Sequence, residues 1–265
     1  PPDAMDLDVL KDEDGAIALY RGALYGFREG FGGTFSYVPT SGRMTDEVMT
    51  GTYAKPGVHL VAAALDEIDK RDIQEDNVLR SNEVERWYRN LNMGRNVAKE
   101  AIEFLRKYAP RQPKDLVGHM FAIRGMTMIY LADIFCSGIP LSEFAPEGGW
   151  IHAPGSTTEE VYTRAVAEFD SALANLPDSV RLQYFAKVGK ARALLNLGKF
   201  EEAAQAVAGV PTDFKYQALY AVDYVGSFVN NWAWQLMDYL SPEQYFGTIG
   251  DREGGNGLPF VSSND

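Results

Sequence analysis

His59, His119 and His152 are the only histidines in the sequence, and Cys136 is its only cysteine. None stands at ligand spacing from another His, Cys or carboxylate, so no metal and no cofactor are expected. Aspartates and glutamates are plentiful, but no local signature sets two of them up as a glycosidase pair. Nucleophile elbow, phosphate loop and EF-hand loop are all missing, and "DREGGNG" lacks the calcium-loop spacing. No catalytic residue is therefore assigned, and a binding protein is expected rather than an enzyme. His119 falls on an apolar helix and is expected to be a satisfied core residue. Cys136 sits in an apolar run, where a free thiol behaves as a small hydrophobe; a single cysteine allows no intramolecular disulfide.

Aromatic side chains carry the stronger signal, at 12% of the chain. Their flat apolar faces, with a polar tip on Tyr and Trp, suit the C–H faces of sugars. Trp150 lies in "EGGWIHAPG", where glycines leave it few local contacts. Tyr37 and Tyr53, with Phe35, lie in a long Gly- and aromatic-rich connector from Phe31 to Gly57. Trp87 falls on an apolar helical stripe and is expected in the core, whereas Tyr88 points elsewhere. Trp232 and Trp234 cannot share one helix face, because residues two apart diverge. Candidate ligand-binding residues are Tyr37, Tyr53, Tyr88, Trp150 and Trp232, with ordinary packing as the alternative for each. Arg124 and Asn96 are expected in a buried structural network.

Charge limits the partners. The formal net charge is −12 over 265 residues. That field repels phosphate backbones and anionic bilayers, so nucleic acid is not expected as a partner. No apolar run reaches the roughly 18 residues of a membrane span.

The elements that must position these residues are helical nearly throughout. Asp14 is expected to cap a first helix through "GAIALYRGALYGF". A second helical stretch is expected between Val58 and Asp69. A third starts with Ser81 as its N-cap, with Val84, Trp87, Leu91, Met93, Val97, Ala101, Phe104 and Leu105 on its apolar stripe. Glu85–Arg89 and Glu103–Lys107 are spaced as i,i+4 ion pairs on it. Asp115 is expected to cap "LVGHMFAIRGMTMIYLADIFC", which is apolar round most of its circumference and so should be buried between neighbours. Gly138 and Pro140 are expected to stop it. "TTEEVYTRAVAEFDSALANLP" opens with a capping box, Thr157 to Glu160. Helices follow over Val180 to Leu197, after Gly198, and through the aromatic-rich stretch from Phe214 to Leu240. No alternating strand pattern is present, so the fold class is all-α.

Two segments repeat. "FDSALANLPDS" and "AAQAVAGVPTD" both run from a small-residue helix into Pro and a turn, and Pro177 and Pro211 lie 34 residues apart. That is the tetratricopeptide period. The second unit reads "ALLNLGKFEEAAQAV": Gly198 ends one helix, Phe200 is expected to pack into the bend, Glu201 and Glu202 complement the next N-terminus, and Ala203 permits close approach. Tetratricopeptide-like pairs are thus expected at about 115–177 and 180–211. The first pair has about 20 residues, "SGIPLSEFAPEGGWIHAPGS", between its helices. Insertions of this kind gather on one face of a solenoid, often the binding face.

The ordered set "AIRGMTMIYLADIFCSGIPL", "TTEEVYTRAVAEFDSALANLP" and "GKARALLNLGKFEEAAQAVAGVPTDFKY" resembles the SusD/RagB family of surface nutrient-binding lipoproteins. Arg124 matches that family's Arg-Ala-rich helix. Gly125 stands for the usual Ala, and "FCSGIPL" has Cys-Ser inserted before its Gly. "WYRNLNMGRNVAKEAIEFL" resembles the family helix that carries an Asn near Asn96, and "DREGGNGLPFVSSND" a segment that continues in the family into Pro-Arg. The resemblance implies a tetratricopeptide-like helical repeat fold with long inserted loops, one domain over 1–265 that continues beyond this sequence. It further implies a signal peptide and a lipid-bearing Cys upstream, an address on the extracellular face of the outer membrane, and a TonB-dependent β-barrel transporter as partner. The expected role is non-catalytic capture of an oligosaccharide or peptide. The alternative is a plain tetratricopeptide adaptor for a protein partner; the inserted loop and the long connector argue against it.

Overall fold

The computed structural model describes residues 10–32, 36–45, 48–50, 78–145, 149–218 and 246–248. Seven helices occur among them: α1 Glu13–Gly32, α2 Tyr37–Met44, α3 Val78–Tyr108, α4 Lys114–Ile134, α5 Thr158–Ala174, α6 Val180–Asn196 and α7 Phe200–Ala206. Six strands of two or three residues accompany them: β1 Val48–Thr50, β2 Ile139–Pro140, β3 Glu143–Phe144, β4 Trp150–Ile151, β5 Gly155–Ser156 and β6 Phe246–Thr248. The expected helix at Val58 to Asp69 lies outside the described residues, as do Tyr53, Trp232 and nearly all of the Phe214 to Leu240 stretch. Phe214 to Ala218, which are described, are not helical.

The chain divides into two compact units, Pro1–Phe27 with Leu91–Ala218, and Arg28–Asn90 with Leu219–Asp265. In the second unit α2 occupies part of the connector expected to be irregular. β1 pairs antiparallel with β6, Val48 opposite Thr248.

The first unit is a set of packed helices. α1 is capped by Asp12 rather than Asp14: Asp12 Oδ1 accepts from the Gly15 amide at 2.7 Å. Asp14 lies inside the first turn, where its charge still suits the helix N-terminus. Ala16, Ala23 and Phe27 form the buried face of α1. Gly26 of α1 meets Gly94 of α3 backbone to backbone; a Cβ on Gly26 would lie 3.1 Å from the Gly94 Cα.

α3 begins before Ser81, which is therefore inside the helix and not its cap. Its buried face runs through Trp87, Leu91, Arg95, Ala98, Ile102 and Leu105. Met93, expected on that face, is 41% exposed. The row from Leu91 continues instead to Arg95, a charged side chain that apolar periodicity passes over. Lys107 lies with its ammonium 5.0 Å from the Tyr108 ring centroid, and the expected pair with Glu103 does not form.

α4 is buried along almost its whole length, as its all-round apolar pattern requires. Asp115 does not cap it: Pro113 is its N-cap and offers no side-chain hydrogen bond. Asp115 instead accepts from the backbone amides of Ser179 at 2.8 Å and Asp178 at 3.3 Å, tying α4 to the turn before α6. The helix ends at Ile134 with extended backbone at Phe135, before Gly138 is reached. Gly138 has φ +108° in the turn that follows. Cys136 is exposed and lies beyond the helix, so it does not serve as a core hydrophobe.

α5 carries the expected capping box, with both Thr157–Glu160 bonds present. Val161, Ala165, Phe169, Ala172 and Leu176 are buried, and Val166 and Leu173 are half-buried at the edge of that face. The ring of Phe169 is clasped between α4 and α6. A Cβ on Gly125 would lie 2.9 Å from it, and one on Gly189 would lie 2.3 Å away. A glycine inside a helix costs about 1 kcal/mol relative to Ala; here two of them make room for one large ring. α6 starts at Ser179, whose Oγ accepts from the Leu182 amide. Gly198 has φ +73° in the turn to α7. Ala203 is buried in the α6–α7 contact, but Phe200 is 68% exposed and does not fill the bend.

Candidate functional site

The segment between α4 and α5 was expected as a loop and is a short two-tier hairpin. β2 pairs with β5 at its neck, Ile139 opposite Ser156, and β3 with β4 further out, Glu143 opposite Ile151 and Phe144 opposite Trp150. The neck is drawn tight. The Gly138 amide donates to the Ser156 carbonyl at 2.8 Å, and Ser137 Oγ accepts from the Thr158 amide at 3.1 Å. Gly155 lies so close to Gly138 that an added Cβ would meet the Gly138 carbonyl oxygen at 2.7 Å.

Helices α3 and α4 grip this hairpin through polar side chains. Asn96 is fully buried; its Nδ2 donates to the Ser142 carbonyl at 3.2 Å, and its Oδ1 accepts from the Phe144 amide at 3.3 Å. Arg95, 1% exposed, also donates to the Ser142 carbonyl and to Asn92 Oδ1. Glu143 gathers three cations: Lys99 at 3.0 Å, Arg124 at 3.3 Å and Arg95 at 3.5 Å. Arg124 also bonds Glu168 of α5 at 3.1 Å. Asn96 and Arg124 thus hold the buried network that was expected of them. Arg95, Glu143 and Glu168 were not foreseen, because each takes its meaning from partners more than 15 residues away. The one available signal was Arg95 itself, a charge in line with Leu91 and Ala98.

The two carboxylates differ in environment. Burial acts to raise Glu143, but the Lys99 hydrogen bond and the charges of Lys99, Arg124 and Arg95 outweigh it and hold the carboxyl below its ordinary range. Burial raises Glu168, and Arg124 offsets this only in part. Glu168 Oε2 is buried with no hydrogen-bond partner among the described residues.

Beside this network lies a pocket of about 410 Å³. Arg95, Arg124 and Arg164 face Glu143 and Glu168 around it, with Met128, Leu141 and Ile151 among its apolar walls. Its size is within the range of small-molecule sites. Trp150 is 47% exposed on the neighbouring strand position and leans on Phe144, ring centroids 4.8 Å apart. Ile151 beside it is 54% exposed. The hairpin, anchored at its base, therefore presents Phe144 and Trp150 on one face and Glu143 and Ile151, which line the pocket, on the other.

The other candidate residues are placed differently. Tyr37, the first residue of α2, is half-buried and stacks on Phe31 at 6.4 Å between centroids. Tyr88 is half-buried on α3, beside the buried Trp87. Both belong to the second unit and Trp150 to the first. Tyr53, Trp232 and His59 lie outside the described residues. His119 is buried, with Tyr20 Oη 2.9 Å from Nδ1 and Tyr216 Oη 2.8 Å from Nε2. Both ring nitrogens are thus partnered, which makes this a structural histidine. His152 is exposed. Among the described residues no group of three or more His, Cys, Asp or Glu side chains comes together as a metal site.

Solved structures share this arrangement of helices. A SusD superfamily protein from Bacteroides thetaiotaomicron VPI-5482 superposes with a TM-score of 0.56 at 14% identity, over 75% of this chain and 47% of that one. The chain has a SusD-like fold. A laminarin-binding SusD-like protein superposes with a TM-score of 0.57 at 18% identity, over 76% of this chain and 44% of its own. A SusD superfamily protein from Bacteroides vulgatus ATCC 8482 gives 0.56 at 13% identity, over 78% and 46%. The chain spans less than half the length of each of these SusD-like structures. No protein-family model matches the chain, and no curated protein does.

Proposed function

We propose that this chain is the nutrient-binding part of an outer-membrane uptake system, capturing a glycan or peptide on the cell surface without chemical conversion. α4 with α5 and α6 with α7 act in this reading as two tetratricopeptide-like pairs, and the hairpin inserted in the first pair carries the ligand surface. The protein is lipid-anchored on the extracellular face and works with a TonB-dependent β-barrel transporter. The observation that carries the proposal is the anchored hairpin, with Trp150 exposed at its outer tier, on a SusD-like fold. One neighbour of that fold is laminarin-binding, which favours an oligosaccharide over a peptide. An exposed Trp held by a neighbouring ring is pre-ordered for stacking on a sugar, so little side-chain freedom is lost on binding.

Calorimetric titration of the full-length protein with a panel of oligosaccharides and peptides tests the reading. Trp150→Ala is expected to weaken binding of the preferred ligand about tenfold, in line with the loss of one well-placed aromatic contact. Unaltered affinity in that variant would remove the hairpin from the site. Release of shortened glycan products on long incubation would show an enzyme instead.

A further inference from the structure

The geometry points to an acidic sugar, one bearing a carboxylate, as the ligand class of the pocket between the hairpin, α4 and α5. This inference rests on the glycan-binding reading above and narrows it.

Three arginines face two glutamates around the pocket, so it carries one positive charge in excess on a chain whose net charge is −12. The excess has an address. Arg95 is held by Asn92, Ser142 and Glu143. Arg124 lies between Glu143 and Glu168. Outside the lining, Lys99 is bound to Glu143, and Glu100 lies near enough to Lys99 to feel its charge. Arg164 of α5 has no ion pair or hydrogen bond among the described residues, and it lines the pocket one helical turn from Glu168. An arginine at the mouth of a concave site presents a fork that matches a carboxylate with two parallel hydrogen bonds.

The rest of the lining suits the body of a sugar. Met128, Leu141 and Ile151 supply apolar wall for a C–H face. Trp150, next to Ile151 on the same short strand, points with Phe144 to the opposite face of the hairpin and is not part of this wall. Glu143 is neutralised by its three cations and so repels an incoming carboxylate little. Burial disfavours the charged form of Glu168, which works in the same direction. A focused positive field inside a pocket selects anionic ligands even when the molecule as a whole is acidic.

The test compares two forms of one ligand, oligogalacturonate fragments and the same fragments fully methyl-esterified, titrated into the full-length protein by calorimetry. The free acid is expected to bind about tenfold more tightly than the ester, and the preference should shrink as salt rises. Arg164→Gln should bring the two affinities together, and Arg164→Lys should restore part of the difference. Arg164 is exposed on its helix, so both variants should fold, which a circular-dichroism melt checks. Equal binding of acid and ester, or a preference unchanged in Arg164→Gln, would overturn the inference while leaving glycan capture standing. Binding of neutral glycans with neither galacturonate form would do the same. No binding to any glycan would overturn both.

Discussion

Glu143 is the residue on which the hairpin depends. Its carboxylate bridges α3 and α4 to β3 through Lys99, Arg95 and Arg124. Because those cations hold its folded pKa below the unfolded value, its contribution is present above the ordinary glutamate pKa of about 4.3. That contribution is lost as pH falls through the folded value. Glu143→Gln is therefore expected to destabilise the protein at pH 7 by about 2 kcal/mol. The gap to the wild type should close below about pH 4, as urea melts across pH would show. A gap that persisted in acid would mean that packing, not charge, is what the variant disturbs. Phe169 gives a second residue-scale prediction. Gly189→Ala would push a methyl group into its ring and should cost about 1–3 kcal/mol in a thermal melt. Sequence reasoning reached His119 because it interrupts an apolar helix and so needs a partner, and Arg124 and Asn96 because they stand where the family resemblance places an Arg and an Asn. It missed Arg95 and Glu143 because their partners are remote. It gave Cys136 the wrong surroundings because the helix ends two residues before it.

At the scale of elements, the caps show how local signals are diverted. Asp115 is an acidic residue near a helix start, which favours a cap of its own helix. Pro113 takes that position, and the carboxylate serves the start of α6 instead. Asp115→Ala should thus loosen the α4–α6 contact and lower stability by about 1–3 kcal/mol, because two amides lose their acceptor. Hydrogen exchange should speed up at Asp178 and Ser179 first; faster exchange confined to the first turn of α4 would contradict the assignment. The capping box of α5 was readable because both its halves lie within four residues. The strands of the hairpin were not, since two residues carry no alternation. Their pairing is set by the closed neck and by the Asn96 and Arg95 bonds to Ser142 and Phe144, all of them tertiary.

At the scale of the whole molecule, helical periodicity, the 34-residue spacing and an ordered set of weak motifs pointed to a SusD-like helical fold, and the superpositions agree. Identities of 13–18% explain why no single motif could carry that conclusion. No helix among the described residues is long and apolar enough to cross a membrane. Attachment to an uptake complex is best tested directly. The decisive measurement is a pull-down of the tagged full-length protein from detergent-solubilised outer membranes, with co-purifying chains identified by mass spectrometry. A TonB-dependent β-barrel transporter in stoichiometric amount is the expected result. Recovery of the protein from the soluble fraction with no such barrel would contradict it and favour a tetratricopeptide adaptor.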